Sequence, residues 1–381
     1  MKKNFNTSDL SKNAYMLTGR FKRRGYDWWW HSFTAIEDET GEEIPFFIEF
    51  FLINPGNKDK PVILGQSKEA KEKGLKPSYL MIKCGRWGKD KKQLHKFVSW
   101  QDFTVHEKAP FFIETKDDFC SEVILRGNVT VSEETKEKYP EMMSDAGSMQ
   151  FSLKMKKQVA WNVGYGTSKL FRDLKAFEMY WHAEGMKTLY EGEIALDGKH
   201  YTVTPGRSFG YADKNWGSNF TSPWVWLSSC CIFSYTRNKQ LENTVFDIGG
   251  GKPRVFGIQL PRRLLGALWL EGEAYEFNFS KFWTKAGCEF SEDEDTPEII
   301  WHVQMYNKTH ILEIEASCKK EDMLFVNYED PNGRKRFNHL WNGGNGIAHL
   351  KLYKKVKGQE PELIEEMVAS HLGCEYGEFD K

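Results

Sequence analysis

The sequence of 381 residues lacks an excess of charge of either sign. Lys and Arg together number 53 and Asp and Glu number 54, which gives a formal net charge of −1. A chain so close to neutrality has no broad electrostatic reason to bind nucleic acid or an anionic membrane. The basic runs at residues 22–24 and 89–92 are interpreted as solvated loops. We therefore expect no nucleic-acid partner.

Paired cysteines and long apolar runs are also missing. The 7 cysteines include no C-x-x-C pair and no zinc-ligand spacing, and an odd, scattered set fits a reducing compartment. The longest apolar run, "IPFFIEFFLI", contains Glu49 and falls short of the ~18 residues that span a bilayer. The N-terminus shows no apolar segment of a signal peptide. These features predict a soluble cytoplasmic protein without an integral membrane segment.

The common catalytic motifs are absent as well. There is no G-x-S-x-G, H-E-x-x-H or G-x-G-x-x-G pattern, and "DIGGGKPR" lacks the residues of a phosphate-binding loop. A serine hydrolase, a zinc protease and a Rossmann enzyme are therefore unsupported. We predict neither a metal nor a cofactor.

What the sequence does have is aromatic side chains, which make up 15% of it, with 14 Trp and 27 Phe. Aromatic residues favour strands and bury large areas. They could fill a large β-core, or they could line a cavity for a flat or hydrophobic ligand. Composition does not separate these two interpretations.

Most segments show the alternation of strands. "WWWHSFTAIED" and "EIPFFIEFFLIN" flank the turn "ETGE", and "LDGKHY" carries Asp-Gly at a second hairpin tip. Many short strands joined by turns predict an all-β fold of barrels or sandwiches. One barrel rarely needs over 350 residues, so we predict an N-terminal barrel over residues 15–218 and a C-terminal barrel over 219–357. The spacing of "EPELIEEMVASHLG" predicts a short helix in a tail over 358–381, with Gly373 after its end.

The stretch "GYADKNWG" carries the most suggestive chemistry. Alternation places Tyr211, Asp213 and Asn215 on one face of a strand and Lys214 and Trp216 on the other. The first face combines a phenol, a carboxylate and an amide. Asp213 could serve a catalytic site, or it could accept backbone N–H groups at a structural corner. The spacing leaves both open.

Three further segments add polar groups to aromatic strands. In "SPWVWLSS", Trp224 and Trp226 share a face with Ser228. "DWWWH" and "EMYWH" each place an acid, an aromatic and a histidine on one face, and burial of such groups costs several kcal/mol unless they are paired. Pairing would also shift their pKa values toward neutral. These side chains are either functional or hydrogen-bonded core residues.

Two other positions are candidates. Glu49 lies among phenylalanines, so burial would raise its pKa and suit it to be a general acid. Its alternative role is a salt bridge to an arginine that spans the barrel. "FNHLWNGGNGIAHLKLY" brings His339 and Trp341 close to glycines that are typical of a bulge or a close backbone approach.

These motifs together resemble those of a known family. "YADKNWG…SPWVWLSS" resembles the Y-A-E-K-N-W-G…W-x-W segment of the tocopherol cyclase family. "YDWWWHSF" is similar to that family's F-E-G-W-Y-F-K opening and to the E-W-W-Y opening of the AttH-like and carotenoid 1,2-hydratase group, and "WNGGNGIAHLKLY" resembles their closing strand. The matches occur in the same order and span residues 26–353. The sequence departs from the cyclase opening at Trp28, where cyclases have Gly, and at Asp27, where they have Glu.

The resemblance implies two lipocalin-like antiparallel barrels with a hydrophobic cavity near their junction. Tocopherol cyclases protonate a prenyl double bond, and a phenol oxygen captures the cation to close a chromanol ring; the hydratases add water to a similar cation. Both reactions need a positioned acid and a dry aromatic wall, and neither needs a cofactor.

We therefore expect a cofactor-independent cyclase or isomerase that acts on a hydrophobic phenolic or prenylated small molecule. The alternatives are a non-catalytic carrier of a hydrophobic ligand and a hydratase of a carbon–carbon double bond. We expect Trp29, Trp224 and Trp226 to border one pocket. The catalytic candidates are Asp213 first, then His182, His31, Tyr211 and Glu49. The substrate-binding candidates are Asp27, Trp28, Trp29, Trp30, Tyr180, Asn215, Trp216, Trp224, Trp226, His339 and Trp341.

Overall fold

The computed structural model describes residues 5, 10–58, 68–108, 110–162, 169–333 and 336–378. Antiparallel strands dominate this part of the chain and form two large sheets, which confirms the all-β prediction. Within the same residues, none of the helices has the length and apolar character required to cross a membrane.

The first sheet contains 12 strands and runs in the order β4-β3-β2-β1-β11-β10-β9-β8-β7-β6-β5, with β12 paired to both β1 and β10. The sheet curls until β4 lies against β8, so it forms a barrel-like layer. Its strands are β1 (Tyr26–Glu37), β2 (Glu43–Ile53), β3 (Tyr79–Arg86), β4 (Lys92–Val98), β5 (Phe103–His106), β6 (Phe112–Thr115), β7 (Phe119–Ser121), β8 (Ile124–Val131), β9 (Gly147–Trp161), β10 (Met179–Leu196), β11 (Lys199–Val203) and β12 (Gly210–Gly217).

The second sheet also contains 12 strands and runs in the order β20-β19-β16-β13-β26-β25-β23-β22-β21, with β14, β15 and β24 attached at its sides. It curls until β19 lies against β21, and β17 and β18 form a separate hairpin. The strands are β13 (Trp224–Ser229), β14 (Cys231–Ser234), β15 (Lys239–Leu241), β16 (Thr244–Gly251), β17 (Arg254–Val255), β18 (Ile258–Gln259), β19 (Arg263–Leu270), β20 (Glu273–Phe277), β21 (Gly287–Asp293), β22 (Glu298–Tyr306), β23 (His310–Lys319), β24 (Leu324–Glu329), β25 (Arg336–Lys354) and β26 (Glu362–Gly377).

Helices are short wherever the structure describes the chain. The α-helices are α1 (Leu10–Asn13), α2 (Lys68–Glu72), α3 (Glu133–Lys138) and α4 (Lys169–Asp173). Single 3₁₀ turns occupy Gly19–Lys22, Pro55–Asn57, Pro140–Met142, Pro205–Arg207, Phe282–Thr284 and Lys320–Asp322.

Both hairpins read from the sequence are present. β1 and β2 pair without interruption from Tyr26↔Ile53 to Ile36↔Glu43. At the tip between β10 and β11, Asp197 and Gly198 have φ values of 51° and 83°. Two consecutive positive φ values define the turn that matches the twist of a tight hairpin, which explains the Asp-Gly pair.

The predicted C-terminal helix is wrong, because residues 362–377 form strand β26 in the middle of the second sheet. β26 pairs with β13 and β14 on one side and with β25 on the other. Backbone pairing on both sides outweighs the weak helical spacing of its apolar residues. Gly373 serves close packing there, since a Cβ atom would overlap the Trp226 indole. Residues 362–377 are therefore part of the second sheet.

The two sheets share one hydrophobic core. A single cluster of buried side chains includes Trp30 and Phe47 of the first sheet together with Trp226, Leu265 and Val326 of the second. A separate cluster fills the interior of the second sheet. The face of the first sheet that carries Trp30 is therefore buried against the second sheet.

The close approach at Gly373 can be tested by substitution. Gly373→Ala adds a methyl group that must displace the Trp226 ring, so we expect a loss of about 1–3 kcal/mol in the free energy of unfolding. Gly206→Ala is the control, because no atom lies within 4 Å of a Cβ atom there. Chemical denaturation measures both variants. Equal stability of the two would contradict the packing described for β26.

Candidate active site

Cross-strand pairing decides which aromatic side chains of β1 meet the second sheet. Trp28 pairs with Asn215 and Trp30 with Asp213, so these four side chains share one face. Trp29 pairs with Lys214 and lies on the opposite face, inside the first barrel.

The face with Trp28 and Asp213 borders a small cavity between the two sheets. Its volume of about 20 Å³ is enough for about one water molecule. Four lining residues come from the first sheet and four from the second, so the cavity exists only where the sheets meet. The lining residues are Trp28, Trp30, Asp213, Asn215, Trp224, Trp226, Tyr328 and Glu375.

Three carboxyl groups at this junction each accept a hydrogen bond from a tryptophan indole. Because an indole N–H only donates, it satisfies a carboxyl oxygen without adding a compensating positive charge. The bonds run from Trp181 Nε1 to Asp213 Oδ2 (2.7 Å), from Trp226 Nε1 to Asp247 Oδ1 (3.0 Å) and from Trp224 Nε1 to Glu375 Oε2 (2.7 Å).

The hydroxyl of Tyr211 links two of these acids. Its oxygen lies 3.2 Å from Asp213 Oδ2 and 3.2 Å from Asp247 Oδ2. A phenol carries one proton and can donate to only one of them, so the other contact is a hydrogen bond only if that carboxyl group is itself protonated and donates. Burial raises the pKa of both Asp213 and Asp247 well above the usual range, and the charge of Asp213 raises the pKa of Asp247 further. Burial thus favours the protonated form of both acids, and both contacts of the hydroxyl can be hydrogen bonds when one of the acids carries a proton.

Glu375 titrates closer to neutrality. Desolvation raises its pKa to about 7, although hydrogen bonds from Trp224 and Asn342 oppose the shift. Asn342 Nδ2 donates to Glu375 Oε1 at 2.6 Å, and the Trp87 indole donates to Asn342 Oδ1 at 2.8 Å. Trp87 belongs to the first half of the chain, so this link also joins the two sheets.

Glu49 lies behind the cavity wall. Its carboxylate lies 3.1 Å from Lys83 Nζ and accepts a hydrogen bond from the hydroxyl of Tyr328, also at 3.1 Å. Burial raises the pKa of Glu49 and lowers the pKa of Lys83. The ion pair anticipated as the alternative role for Glu49 is thus present, but its partner is a lysine of the neighbouring strand and not an arginine.

Two polar atoms on lining residues lack a hydrogen-bond partner among the described residues. They are Asp213 Oδ1 and Trp30 Nε1. An unpaired buried polar atom costs about 1–3 kcal/mol, so both would gain from a ligand with matching polar groups.

The expectation that Trp29 borders the same pocket as Trp224 and Trp226 is wrong. Trp29 stacks on Phe111 with ring centroids 4.2 Å apart, and Lys214 Nζ lies 3.6 Å from the centroid of its indole. Lys214 also forms a buried ion pair with Asp27. The interior of the first barrel thus carries compensated charges.

The histidine candidates also face that interior. His182 pairs in register with Lys214, and His31 Nδ1 lies 2.9 Å from the Tyr190 hydroxyl. Burial, together with the charge of Lys157, lowers the pKa of His31 well below its usual value, so this imidazole is neutral. The structure brings neither histidine to the face that carries Asp213.

The remaining candidates occupy other places. Tyr180 and Trp216 stack with centroids 5.3 Å apart on the interior face of the first barrel. Trp341 packs against Phe325, with centroids 3.8 Å apart, on the opposite face of β25 from Asn342. His339 lies in β25, but its side chain falls outside the described residues.

Sequence reasoning missed four residues of the site: Asp247, Glu375, Trp181 and Tyr328. Asp247 precedes the three glycines that were examined only as a phosphate loop. Glu375 belongs to the segment predicted as a helical tail. Trp181 lies between Tyr180 and His182 of "EMYWH", which were chosen because they share the opposite face of the strand. No sequence signal pointed to Tyr328.

No group of three or more His, Cys, Asp or Glu side chains within the described ranges is arranged to hold a metal ion. The groups that meet at the junction are carboxyl, phenol and indole groups. They can donate and accept protons and can stabilise a cation through aromatic faces.

The fold and this site define a class of protein: two joined antiparallel β-barrels with buried acids of raised pKa and aromatic walls at the junction. A family model described as tocopherol cyclase-like matches residues 83–378. The chain belongs to the tocopherol cyclase-like family, which confirms the resemblance read from its motifs.

Two curated relatives are similar over part of their length. The rice (Oryza sativa subsp. japonica) protein named "Probable tocopherol cyclase, chloroplastic" is 29% identical over 144 residues, which is 38% of this chain and 28% of the rice protein. The maize (Zea mays) "Tocopherol cyclase, chloroplastic" is 29% identical over 141 residues, which is 37% of this chain and 27% of the maize protein. The matched part thus spans little more than a quarter of either relative. A solved structure of a candidate AttH protein from Nitrosomonas europaea aligns over 91% of this chain and 92% of its own, with 11% identity and a TM-score of 0.40.

The pKa of Glu375 predicts a pH dependence of stability. The unfolded carboxyl group ionises near pH 4.5 and the folded one near pH 7, so the free energy of unfolding should fall as pH rises between these values. Glu375→Gln removes this titration. As pH rises from 4.5 to 7, the free energy of unfolding of the variant should therefore increase by on the order of 2 kcal/mol relative to that of the wild type. This figure allows for solvent screening of the half-buried side chain.

Denaturation midpoints across this pH range provide the measurement. Glu114→Gln, at an exposed position in β6, is the control and should keep the wild-type slope. Parallel profiles for Glu375→Gln and wild type would show that Glu375 is ionised in the folded protein.

Proposed function

We propose that this protein is a cofactor-independent cyclase that closes a ring on a prenylated phenol, with Asp213 as the proton donor. Membership of the tocopherol cyclase-like family supports the class of reaction. The observation that carries the proposal is the carboxyl group of Asp213, which lines the junction cavity, has a strongly raised pKa and leaves Oδ1 without a partner among the described residues.

The hydrogen bonds around Asp213 suit this role. A protonated Asp247 would donate to the Tyr211 oxygen, and Tyr211 would donate to Asp213 Oδ2, which also accepts from Trp181. The proton of Asp213 would then reside on Oδ1. Once that proton leaves, two donors already in place stabilise the carboxylate, so little reorganisation is needed during the reaction.

The proposed step conserves atoms and charge. The O–H bond of Asp213 breaks, a C–H bond forms at one carbon of the prenyl double bond, and the other carbon becomes a cation. The phenol oxygen of the substrate attacks that carbon and forms the ring C–O bond. Its proton passes to the Asp213 carboxylate, which restores the acid for the next turnover.

The cavity walls suit the cation. Aromatic faces attract positive charge, and the lining includes four tryptophans and Tyr328. Trp30 Nε1, which lacks a partner among the described residues, could donate to an oxygen of the substrate ring and orient it.

Substrate binding would require the cavity to open, because its volume of about 20 Å³ is far below the ~300 Å³ or more of a typical ligand site. Trp28 and Glu375 are the half-buried members of the lining, and Trp28 stacks on Tyr328 and Phe220, with centroids 5.1 and 5.7 Å apart. We propose that rotation of this stack admits the substrate. Trp28 replaces a glycine of the cyclase opening motif, so the substrate accommodated here would differ in shape from that of the plant enzymes.

Asp213→Asn tests the proposal. The amide keeps the size of the side chain but cannot donate a carboxylic proton, so turnover of a prenylated hydroquinone should fall by about 10²–10⁴-fold with substrate binding largely retained. Chromatography with mass spectrometry measures the product, and in D₂O the product should carry one deuterium on carbon.

The control is Asp118→Asn, which replaces another buried aspartate, one that lies in the turn between β6 and β7 and is paired with Lys96. This variant should keep the wild-type turnover per folded molecule. Full turnover in folded Asp213→Asn would remove Asp213 from the reaction. A product heavier by one water would identify a hydratase, and binding without any product in the wild-type protein would identify a carrier.

A further inference from the structure

One end of the first barrel carries exposed apolar side chains next to basic ones. Ten large apolar side chains are exposed among the described residues, and four of them belong to two neighbouring segments here. Leu170 lies in α4 and Leu174 directly follows it, and Phe256 and Ile258 lie on the β17–β18 hairpin; they are 64%, 54%, 63% and 69% exposed. Isolated exposed apolar residues are common, but a group of four at adjoining tips indicates a binding surface.

Backbone contacts join these two segments to each other, and a side-chain hydrogen bond joins them to residues 18–24. Phe256 N donates to Ala176 O at 2.7 Å, and Phe177 forms a β-bridge with Val255. Lys175 Nζ donates to Thr18 O at 2.6 Å. The three segments therefore form one surface, here termed the basic–apolar patch.

The charge of the patch differs from that of the whole chain. Its described side chains include seven basic residues against two acidic ones, Asp173 and Glu178, an excess of five in a protein with a formal net charge of −1. Arg254 offsets Glu178 at a distance of 3.9 Å. The basic residues are Arg20, Lys22, Arg23, Arg24, Arg172, Lys175 and Arg254.

We propose that the basic–apolar patch docks the protein on an anionic phospholipid surface. Apolar side chains at protruding tips can enter the acyl boundary while Lys and Arg contact the headgroups, and each basic residue near such a surface contributes about a threefold to tenfold gain in affinity. Nucleic acid would use the basic residues but would leave four protruding apolar side chains in water. The combination of both features favours lipid.

The location of the patch is consistent with supply of a hydrophobic ligand. Residues 18–24 precede β1 and residues 170–178 precede β10, so the patch lies where Tyr26, Gly217 and Met179 form the end row of the paired strands. The cavity-lining pair Trp28 and Asn215 is two residues further along the same strands. The docking itself does not rest on the proposed function, since it is measured without any substrate.

The experiment is flotation of the purified full chain with phosphatidylcholine vesicles that either contain or lack phosphatidylglycerol. We expect binding to the anionic vesicles only, and weakening as salt screens the basic residues. Leu174→Ser with Phe256→Ser should weaken binding by at least about tenfold, because two apolar side chains no longer enter the bilayer. Lys22→Glu with Arg24→Glu should have a similar effect.

Matched variants outside the patch serve as controls. Ile347→Ser with Leu363→Ser changes two other exposed apolar residues, and Lys239→Glu with Lys357→Glu changes two other exposed lysines. Circular dichroism confirms that each variant is folded. Failure of the wild-type chain to float with anionic vesicles, or equal weakening by patch and control variants, would overturn the proposal. Loss of self-association in the patch variants without any vesicle binding would identify a protein-docking surface and overturn it too.

Discussion

The junction of the two barrels depends on the sharing of one phenol hydroxyl by two buried carboxyl groups. Tyr211 and Asp213 belong to the first sheet and Asp247 to the second, and the two contacts of the hydroxyl are each 3.2 Å. If both aspartates were ionised, the hydroxyl could donate to only one of them, and each would have only an indole N–H and no positive charge beside it. Burial at the junction raises the pKa of both aspartates, so the same packing that buries them also favours their acid form.

The same strands carry a second polar system on their other face, and the contrast explains why the chemistry is assigned to the junction. Inside the first barrel, Asp27 is paired with Lys214, and Lys157 lies 2.6 Å from Glu122 and 3.0 Å from Glu184. These charges are largely compensated by neighbours. At the junction the acids face indoles and a phenol, which supply hydrogen bonds but no positive charge, so burial raises their pKa values.

The net charge of the whole chain does not reveal the local excess of positive charge in the basic–apolar patch. The formal charge of −1 is an average over a chain in which the basic–apolar patch holds seven basic residues and two acidic ones. The interpretation of residues 22–24 as solvated loops was reasonable from their sequence neighbours alone. Only the fold sets them beside Leu174 and Phe256, which are more than 140 residues away in sequence.

The sequence by itself determined which side chains share a face. Alternation grouped Tyr211, Asp213 and Asn215, and separately Trp224 and Trp226, and turn residues located both hairpins. Alternation has a period of two and cannot say which face meets the partner sheet, because both faces of "DWWWH" are aromatic. The tertiary structure made that choice for Trp28 and Trp30 over Trp29. It also placed Asp247 and Glu375 at the site and made residues 362–377 a central strand, because these outcomes depend on pairing between segments far apart in the chain, which no local pattern encodes.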